Sequence, residues 1–456
     1  MNLSVIILAA GDGKRMRSSI PKGLHELAGK PLIQHVIEVA QQLNPDNIYV
    51  VYGRRGEQMM SQLQDLQVSW VHQPEPLGTG DAIKKVLPQL NSAHQVLILC
   101  GDVPLITANT LKKLIKTTRE NTAGWITAFV DDPFGLGRIL RDDEGNLQAI
   151  IEERDANVAQ KSIEEINTGI CLLPVKYLSK WLSQLDNQNV QGEYYFTDIL
   201  SRALADGIQV ITTQPELPEE ILGVNDKAQL AQLERIWQLN NAEKLMQNGL
   251  TLRDPARFDL RGTLQFGKDV VCDVNVIISG DVTIGNNCYI GPNVYLHHVK
   301  IADNVRISAN TVIDTAVIGN DCLIGPFSRI RPETILHNKA KIGNFVEIKK
   351  SEIGEGSKVN HLSYIGDTTM GAHVNIGAGT ITCNYDGVNK HKTTIEDDVF
   401  IGSSTQLVAP LTVGHGATIG AGSAITQDVP SDELTLARTK QVTIEGWHKP
   451  QKQEKE

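Results

Sequence analysis

From Ser4 to about residue 225, short apolar runs rich in β-branched residues alternate with stretches whose apolar positions recur at helical spacing. Residues 5–8, 48–51, 96–100, 125–130 and 208–212 are predicted strands. Residues 31–43, 79–87 and 107–117 are predicted helices, each opened by a polar residue or proline. Strands and helices in that order imply an α/β sheet. A long run of Leu, Ala, Gln and Glu at 226–249 then reads as one helix ended by Gly249, the joint between two domains.

After about residue 265 the period becomes six. An aliphatic residue stands ahead of glycine at Ile284-Gly285, Ile290-Gly291, Ile318-Gly319, Ile324-Gly325, Ile342-Gly343, Ile353-Gly354 and Ile365-Gly366. The series runs on through Ile376-Gly377, Ile401-Gly402 and Ile419-Gly420. A six-residue step fits neither a 3.6 nor a 3.5 stripe and matches the hexapeptide class of parallel β-helix. The isoleucines are expected to point inward and the glycines to ease the corners. An ordinary β-sandwich would space its turns irregularly, about 8 to 12 residues apart. Between 380 and 394 the coils are interrupted by Asn384-Tyr385-Asp386-Gly387 and by Lys390, His391 and Lys392, a charged loop expelled from the solenoid.

At 456 residues the chain exceeds one ordinary core, as two domains require, and its 5% aromatic content suits a repeat of small and aliphatic residues. A net charge of −10 disfavours broad binding to nucleic acid or anionic membranes, while leaving local sites for small anions. The cysteines at 100, 171, 272, 288, 322 and 383 are scattered, which reads as reduced thiols in a cytosol rather than a zinc site or disulfide framework. The apolar run at 5–10 follows no basic segment and is too short for an export signal or a membrane span, so a cytoplasmic protein without membrane insertion is expected.

The first predicted strand runs into Ala9-Ala10-Gly11-Asp12-Gly13-Lys14-Arg15-Met16. Small residues there let backbone amides close on a phosphate, two cations follow, and a helix starting at that point would add its dipole. Neither a third glycine for a dinucleotide nor the Gly-Lys-Ser/Thr of a P-loop is present, and a plain tight turn gives the same pattern. Pro21-Lys22, Gln73 ahead of Leu77-Gly78-Thr79-Gly80, and Gly101-Asp102 at a strand end add weight. A carboxylate at the carboxyl end of a buried strand can hold magnesium against phosphate oxygens, which makes Asp102 the metal candidate.

With Gly135-Leu136-Gly137-Arg138, Glu152, Glu165-Ile166-Asn167-Thr168-Gly169, Gln191-Gly192-Glu193-Tyr194-Tyr195 and Gly223-Val224-Asn225, these stretches resemble the bacterial bifunctional N-acetylglucosamine-1-phosphate uridyltransferase/glucosamine-1-phosphate acetyltransferase family. The resemblance implies an α/β Rossmann-like nucleotidyltransferase domain at 1–225, a linker helix at 226–249 and a left-handed parallel β-helix acetyltransferase domain at 250–456. By the same resemblance Arg15 acts on developing phosphate charge, Lys22 binds phosphate, and Asp102 and Asn225 hold Mg2+. Glu152 and Asn167 match sugar contacts and Gln73 and Gly78 match uracil contacts. Leu8, Ala9, Ala10, Gly11, Thr79 and Gly137 complete the implied UTP and UDP-sugar site. The sequence departs from the family at Asp12, where lysine is usual, at Lys14, where threonine is usual, and at Gly23, where valine is usual.

Acyl transfer to a sugar amine needs a base near neutral pKa, and Val359-Asn360-His361-Leu362-Ser363-Tyr364 offers His361. A lone histidine is ordinarily a packing or surface residue; its place between repeats, beside Tyr364 and near the expelled loop, singles this one out. The resemblance assigns the glucosamine-1-phosphate site to Arg331, Lys349, Tyr364, Asn375 and Lys390, and gives Glu347 the task of orienting His361. It assigns acetyl-CoA to Ala378, Asn384, Tyr385, Ser403, Ala421 and Arg438. Lys350 is read as a solvated corner. UTP and acetyl-CoA are the implied donors and a homotrimer the implied assembly. The alternative is a single-activity sugar-1-phosphate nucleotidyltransferase with a purely structural β-helix, for which His361 and the basic loop would have no use.

Overall fold

The computed structural model describes residues 2–450 and 452, and the chain divides into two compact units, Met1–Gln238 and Leu239–Glu456. The division falls inside a helix at Lys227–Gln247.

The first unit is built on a nine-stranded mixed sheet. Its main path runs Val210–Thr213, Ala123–Phe129, Glu165–Pro174, Gln95–Cys100, Leu3–Ala9, Asn47–Tyr52 and Ser69–His72. Every neighbouring pair on that path is parallel except those made by Glu165–Pro174, which runs antiparallel to both neighbours. In Leu3–Ala9 the side chains alternate between two cores. Val5 and Ile7 pack with Ile33, Val36 and Leu111 on one face, and Ile6 packs with Ile83, Val86 and Trp181 on the other. Burial on both faces is why this strand is apolar at consecutive positions. The predicted helices form as Leu32–Gln41, Thr79–Val86 and Ala108–Thr117, the last capped by Thr107, whose side chain accepts from the Thr110 amide at 3.2 Å. The last predicted strand lies slightly later than expected, at Val210–Thr213. The antiparallel hairpin Arg138–Arg141 and Leu147–Ile151, attached to the Glu165–Pro174 strand, has no counterpart in the sequence-based expectation.

Strand order decides where a ligand can enter. Leu3–Ala9 pairs in parallel with Asn47–Tyr52 on one side and with Gln95–Cys100 on the other, so the chain builds outward from it in one direction and then returns to build in the opposite one. The crevice at its carboxyl end, beside the end of Gln95–Cys100, is therefore the switch point at which α/β sheets take ligands.

The second unit is a left-handed parallel β-helix whose short strands stack in two long sheets of eleven and seventeen strands. Strand pairing puts Ile290, Ile307, Ile324, Ile342, Val359, Ile376, Ile401 and Ile419 into one interior column, every member 2% exposed or less. The isoleucines therefore point inward as expected. Of the glycines that follow isoleucine, only Gly325 holds left-handed backbone, at φ 91°; the others do not turn the corners. That role falls to residues such as Asn287, Asn293, Asn304 and Asn310, which hold φ between 56° and 61°. Glycine follows isoleucine because adjacent coils close up there: a Cβ at Gly343 would overlap the Asn360 carbonyl oxygen, and one at Gly285 would overlap the Asp303 carboxylate. Corner asparagines bond along the stack, Asn275 to Asn293 at 2.9 Å and Asn293 to Asn310 at 3.1 Å. The interrupting segment leaves the coil after Ile381–Cys383 and rejoins it at Thr393–Ile395.

Candidate functional sites

In the first unit a cavity of about 530 Å³ opens at the switch point, and its wall includes Leu8, Ala9, Ala10, Gly11, Arg15 and Lys22 from the strand end and loop. Gln73, Gly78, Thr79, Asp102 and Asn225 join it from other segments of the chain. Sequence reasoning thus named most of one wall. The expected helix after the loop is only a three-residue turn, Lys14–Met16, because Gly13 and Arg17 on either side adopt left-handed backbone at φ 59° and 48°. A turn this short offers no helix dipole, and the positive charges it carries are those of Lys14 and Arg15.

Lys22 packs beneath the loop, since a Cβ on Gly13 would meet its own Cβ at 2.9 Å. Its ammonium is bonded to Asp102 Oδ2 and, at 2.9 Å, to Asn225 Oδ1. Backbone geometry holds both partners: the Val224 amide donates to the Asp102 carbonyl at 2.9 Å, and the Asn225 amide donates to Gln229 Oε1 at 2.7 Å. A carboxylate oxygen and an amide oxygen, drawn from distant segments, converge on one positive charge. Such hard oxygen donors fit a magnesium ion that keeps most of its shell for water and phosphate. No cluster of three or more His, Cys, Asp and Glu suited to a metal occurs among the described residues.

Of the departures from the family, Asp12 and Lys14 face each other at 3.7 Å, both well exposed, so the acid in the loop stands beside a cation of its own. Gly23 is close-packed: a Cβ would lie 3.1 Å from Met59 Sδ and 3.4 Å from Ile33 Cβ.

Gly137, Glu152 and Asn167 form an adjoining group. The Asn167 amide donates to the Gly137 carbonyl at 2.8 Å, and a Cβ on Gly137 would sit 3.5 Å from Glu152 Oε2. A register break between Asn167 and Cys171 turns the strand, with Gly169 at φ 76° and lying against Cys100, which lines the cavity. Residues 193–197, which sequence reasoning left without a role, tie the two groups together. The Phe196 amide donates to Thr79 Oγ1 at 3.1 Å, Thr197 Oγ1 donates to Glu152 Oε1 at 3.0 Å, and Glu193 lines the cavity. Burial pushes the Glu152 carboxyl above the usual carboxylate range; Asp198, Asp155 and Glu193 add to this and the Thr197 bond opposes it. Arg138 is structural, buried and bonded to Glu153 at 2.7 Å.

In the second unit His361 is exposed, and its Nδ1 lies 3.2 Å from Asn344 Oδ1. Glu347 was expected to orient this ring, but it is bonded to Arg331 at 2.8 Å instead. The reason is coil register. Asn344 pairs with His361 on the neighbouring coil, while Glu347 pairs with Tyr364. Counting one coil back from His361 would have found Asn344.

Around Tyr364 the sugar-phosphate candidates gather. Asn384 Nδ2 lies 3.5 Å from Tyr364 Oη and is also bonded to Asp367, and Lys349 pairs with Gly366. The Lys349 ammonium beside Lys390 holds the latter below the usual lysine range. Lys350 is exposed and paired with Glu333 at 3.5 Å, the solvated role read from sequence. Asn375 lies on the strand beside Lys358, and Tyr385 belongs to the expelled loop, where its hydroxyl donates to the Gly387 carbonyl at 2.5 Å. That loop is pinned by Asp386, which accepts from His391 at 2.7 Å and from the Val388 and Asn389 amides.

The remaining acyl-donor candidates follow one edge of the coils. The Gly379 amide donates to the His361 carbonyl at 3.2 Å, Ser404 to Ala378 at 2.7 Å, and Gly422 to Ser403 at 2.8 Å. Arg438 Nη1 then donates to the Ala421 carbonyl at 2.7 Å. Successive coils are about 4.8 Å apart, so this edge offers a line on the order of 15 Å long leading to His361. All six cysteines are unpaired, and no helix among the described residues is long and apolar enough to cross a membrane.

Residues 5–207 match the model of the MobA-like NTP transferase domain, residues 261–342 the GMPPB C-terminal domain, and residues 392–427 the hexapeptide repeat of succinyl-transferase. The chain is 50% identical over 450 residues to the bifunctional protein GlmU of Herminiimonas arsenicoxydans, covering 99% of each. It is 52% identical over 455 residues to that of Acinetobacter baumannii strain ACICU, covering 100% of each. With that of Methylococcus capsulatus strain Bath it shares 50% over 457 residues, covering 100% of this chain and 99% of the relative.

Proposed function

This chain belongs to the family of bifunctional GlmU proteins, and from that premise we propose how its two units divide the work. The protein is a bifunctional transferase of UDP-N-acetylglucosamine synthesis, with a uridyltransferase and an acetyltransferase activity. The observation that carries the second activity is the edge running from Arg438 to His361 beside the Lys349 and Lys390 pair. A β-helix serving assembly alone has no need of it.

In acetyl transfer the amine nitrogen of glucosamine-1-phosphate bonds to the acetyl carbonyl carbon and the carbon–sulfur bond of acetyl-CoA breaks. Because Asn344 offers an oxygen, His361 donates through Nδ1 and keeps the Nε2 lone pair. Nε2 takes the amine proton and passes it to the departing thiolate. Arg331, Lys349 and Lys390 hold the sugar phosphate with Tyr364 and Asn375, and Ala378, Asn384, Tyr385, Ser403, Ala421 and Arg438 hold the coenzyme.

In uridyl transfer a phosphate oxygen of N-acetylglucosamine-1-phosphate attacks the α-phosphorus of UTP, and pyrophosphate leaves. Arg15 meets the developing charge and Lys22 the phosphates, while Gln73 and Gly78 take the base and Glu152 and Asn167 the sugar. Asp102 and Asn225 would hold Mg2+, which would supply positive charge against the phosphate oxygens.

We further propose that the protein works in the cytoplasm as a homotrimer. Outward aliphatic residues such as Val317 and Ile335, paired on adjacent coils, favour packing of flat faces around a three-fold axis. The test is incubation with glucosamine-1-phosphate, acetyl-CoA, UTP and magnesium, with mass spectrometry of every sugar product. N-acetylglucosamine-1-phosphate and then UDP-N-acetylglucosamine should appear in turn. A nucleotide-linked glucosamine without acetyl transfer would instead support a structural β-helix.

A further inference from the structure

Gln73 forms part of the cavity wall in the first unit and is only 4% exposed. Its amide nitrogen lies 3.1 Å from the Gly78 carbonyl oxygen and 2.9 Å from Asp81 Oδ2. A carbonyl and a carboxylate can only accept, so the group facing them is the NH2, and both of its donors are engaged. The opposite rotamer would press Oε1 against two oxygens in a buried place, where an unmatched polar contact is costly. The Gly78 carbonyl alone could hold one N–H and leave the amide loosely set; the second bond removes that freedom. Asp81 is itself nearly buried, at 8% exposure, and its other oxygen, Oδ1, lies 3.3 Å from Lys85 Nζ one helical turn on. The carboxylate, carried by helix Thr79–Val86, is thus held by Gln73 at one oxygen and by Lys85 at the other.

What remains of the Gln73 side chain is Oε1. No hydrogen bond among the described residues engages it, and it is not among the buried polar atoms left without a partner, so it opens on the cavity.

We infer that Asp81 is a positioning residue for base selection: it locks the Gln73 amide so that Oε1 faces the nucleobase and the cavity takes a pyrimidine carrying an N3 hydrogen. Uracil has that hydrogen and donates it. Cytosine presents a bare N3 lone pair, and lone pair would meet lone pair. The inference deepens the reading that UTP enters this cavity and rests on it. Asp81 acts through Gln73 and touches neither the phosphates nor the metal position, so its loss should fall on recognition of the base rather than on the chemical step.

The experiment measures pyrophosphate release by the full chain with N-acetylglucosamine-1-phosphate and magnesium, using UTP and CTP in turn, for the native protein, Asp81→Leu and Asp81→Asn. Leucine keeps the size and removes the acceptor; asparagine can turn either its oxygen or its NH2 to Gln73 and loosens the lock. In the Leu variant the KM for UTP should rise about 10-fold, the effect of one lost hydrogen bond, with kcat held within about 3-fold. The preference for UTP over CTP should narrow by at least about 10-fold, and by a smaller factor in the Asn variant. Native preference in both variants, or an equal loss toward UTP and CTP in a protein that still melts cooperatively, overturns the inference. If the Leu variant does not fold, the Asn variant decides alone, and an unchanged preference there overturns it. A native protein that releases no pyrophosphate from UTP defeats the underlying reading instead, which separates the two failures.

Discussion

His361 Nδ1 lies 3.2 Å from the side-chain oxygen of Asn344, the residue that pairs with it one coil earlier in the β-helix. That oxygen accepts, so the ring donates there, and Nε2 is left with its lone pair toward solvent. His361→Ala is expected to lower acetyl transfer by about 10² to 10⁴, the range for loss of a general base, without affecting uridyl transfer. Asn344→Ala should cost less, on the order of 10-fold, because the base remains but loses its fixed tautomer and orientation. Coupled assays of thiol and pyrophosphate release check both; near-normal acetylation by the His361 variant would make the histidine a surface residue.

The carboxylate of Asp102 and the amide oxygen of Asn225 share the Lys22 ammonium. Asp102→Ala removes the only charged oxygen of that pair. Pyrophosphate release from UTP should fall to background, with acetyl transfer nearly intact, since the two sites lie in different units. Simultaneous loss of both activities in a folded variant counts against independent sites.

Glu152 carries a predicted pH signature. Burial raises its folded pKa above the unfolded value, so between the two the folded state binds more protons and stability falls as pH rises through that window. Glu152→Gln removes the charge. Its Tm should exceed that of the native protein at pH 7 to 8, and the difference should vanish below about pH 4, where the unfolded carboxyl is also protonated. Thermal melts across pH check the sign, while the KM for N-acetylglucosamine-1-phosphate should rise in the same variant.

Lys349 and Lys390 repel each other, which is why Lys390 is held below the ordinary lysine value. Lys390→Ala is expected to raise the KM for glucosamine-1-phosphate about 10- to 100-fold, the range for a charge-assisted contact, and to leave the KM for acetyl-CoA unchanged. Equal shifts in both constants would show that the loop, rather than the charge, had been disturbed.

Assembly can be read directly. Light scattering should give three chains per particle, and acetyl transfer should decline on dilution to concentrations at which the particle dissociates. A monomer with full acetyl transfer defeats the trimer.

Wherever a local pattern dictates structure, the sequence alone was sufficient. The change of period near residue 265 announced the β-helix because each Ile must face a narrow interior and each following Gly lies where coils touch. The strand–loop run from Val5 to Arg15 pointed to a candidate phosphate site because it puts small residues and cations at a strand end, and its residues 8–15 line the cavity there. Tertiary structure decided what depends on pairing between distant segments. Sequence resemblance pointed to Glu347 as the partner of His361, and coil register gave that place to Asn344. Periodicity gave the corners to glycine, but stacking distance, a property of two coils together, required glycine after isoleucine and left most corners to other residues, asparagine often among them. The meeting of Lys22, Asp102 and Asn225, and the lock of Asp81 on Gln73, likewise arise only when separate strands and helices bring their ends to one crevice. No spacing along the chain encodes such meetings, because side-chain contacts across a sheet are fixed by strand order and register, which the whole core determines.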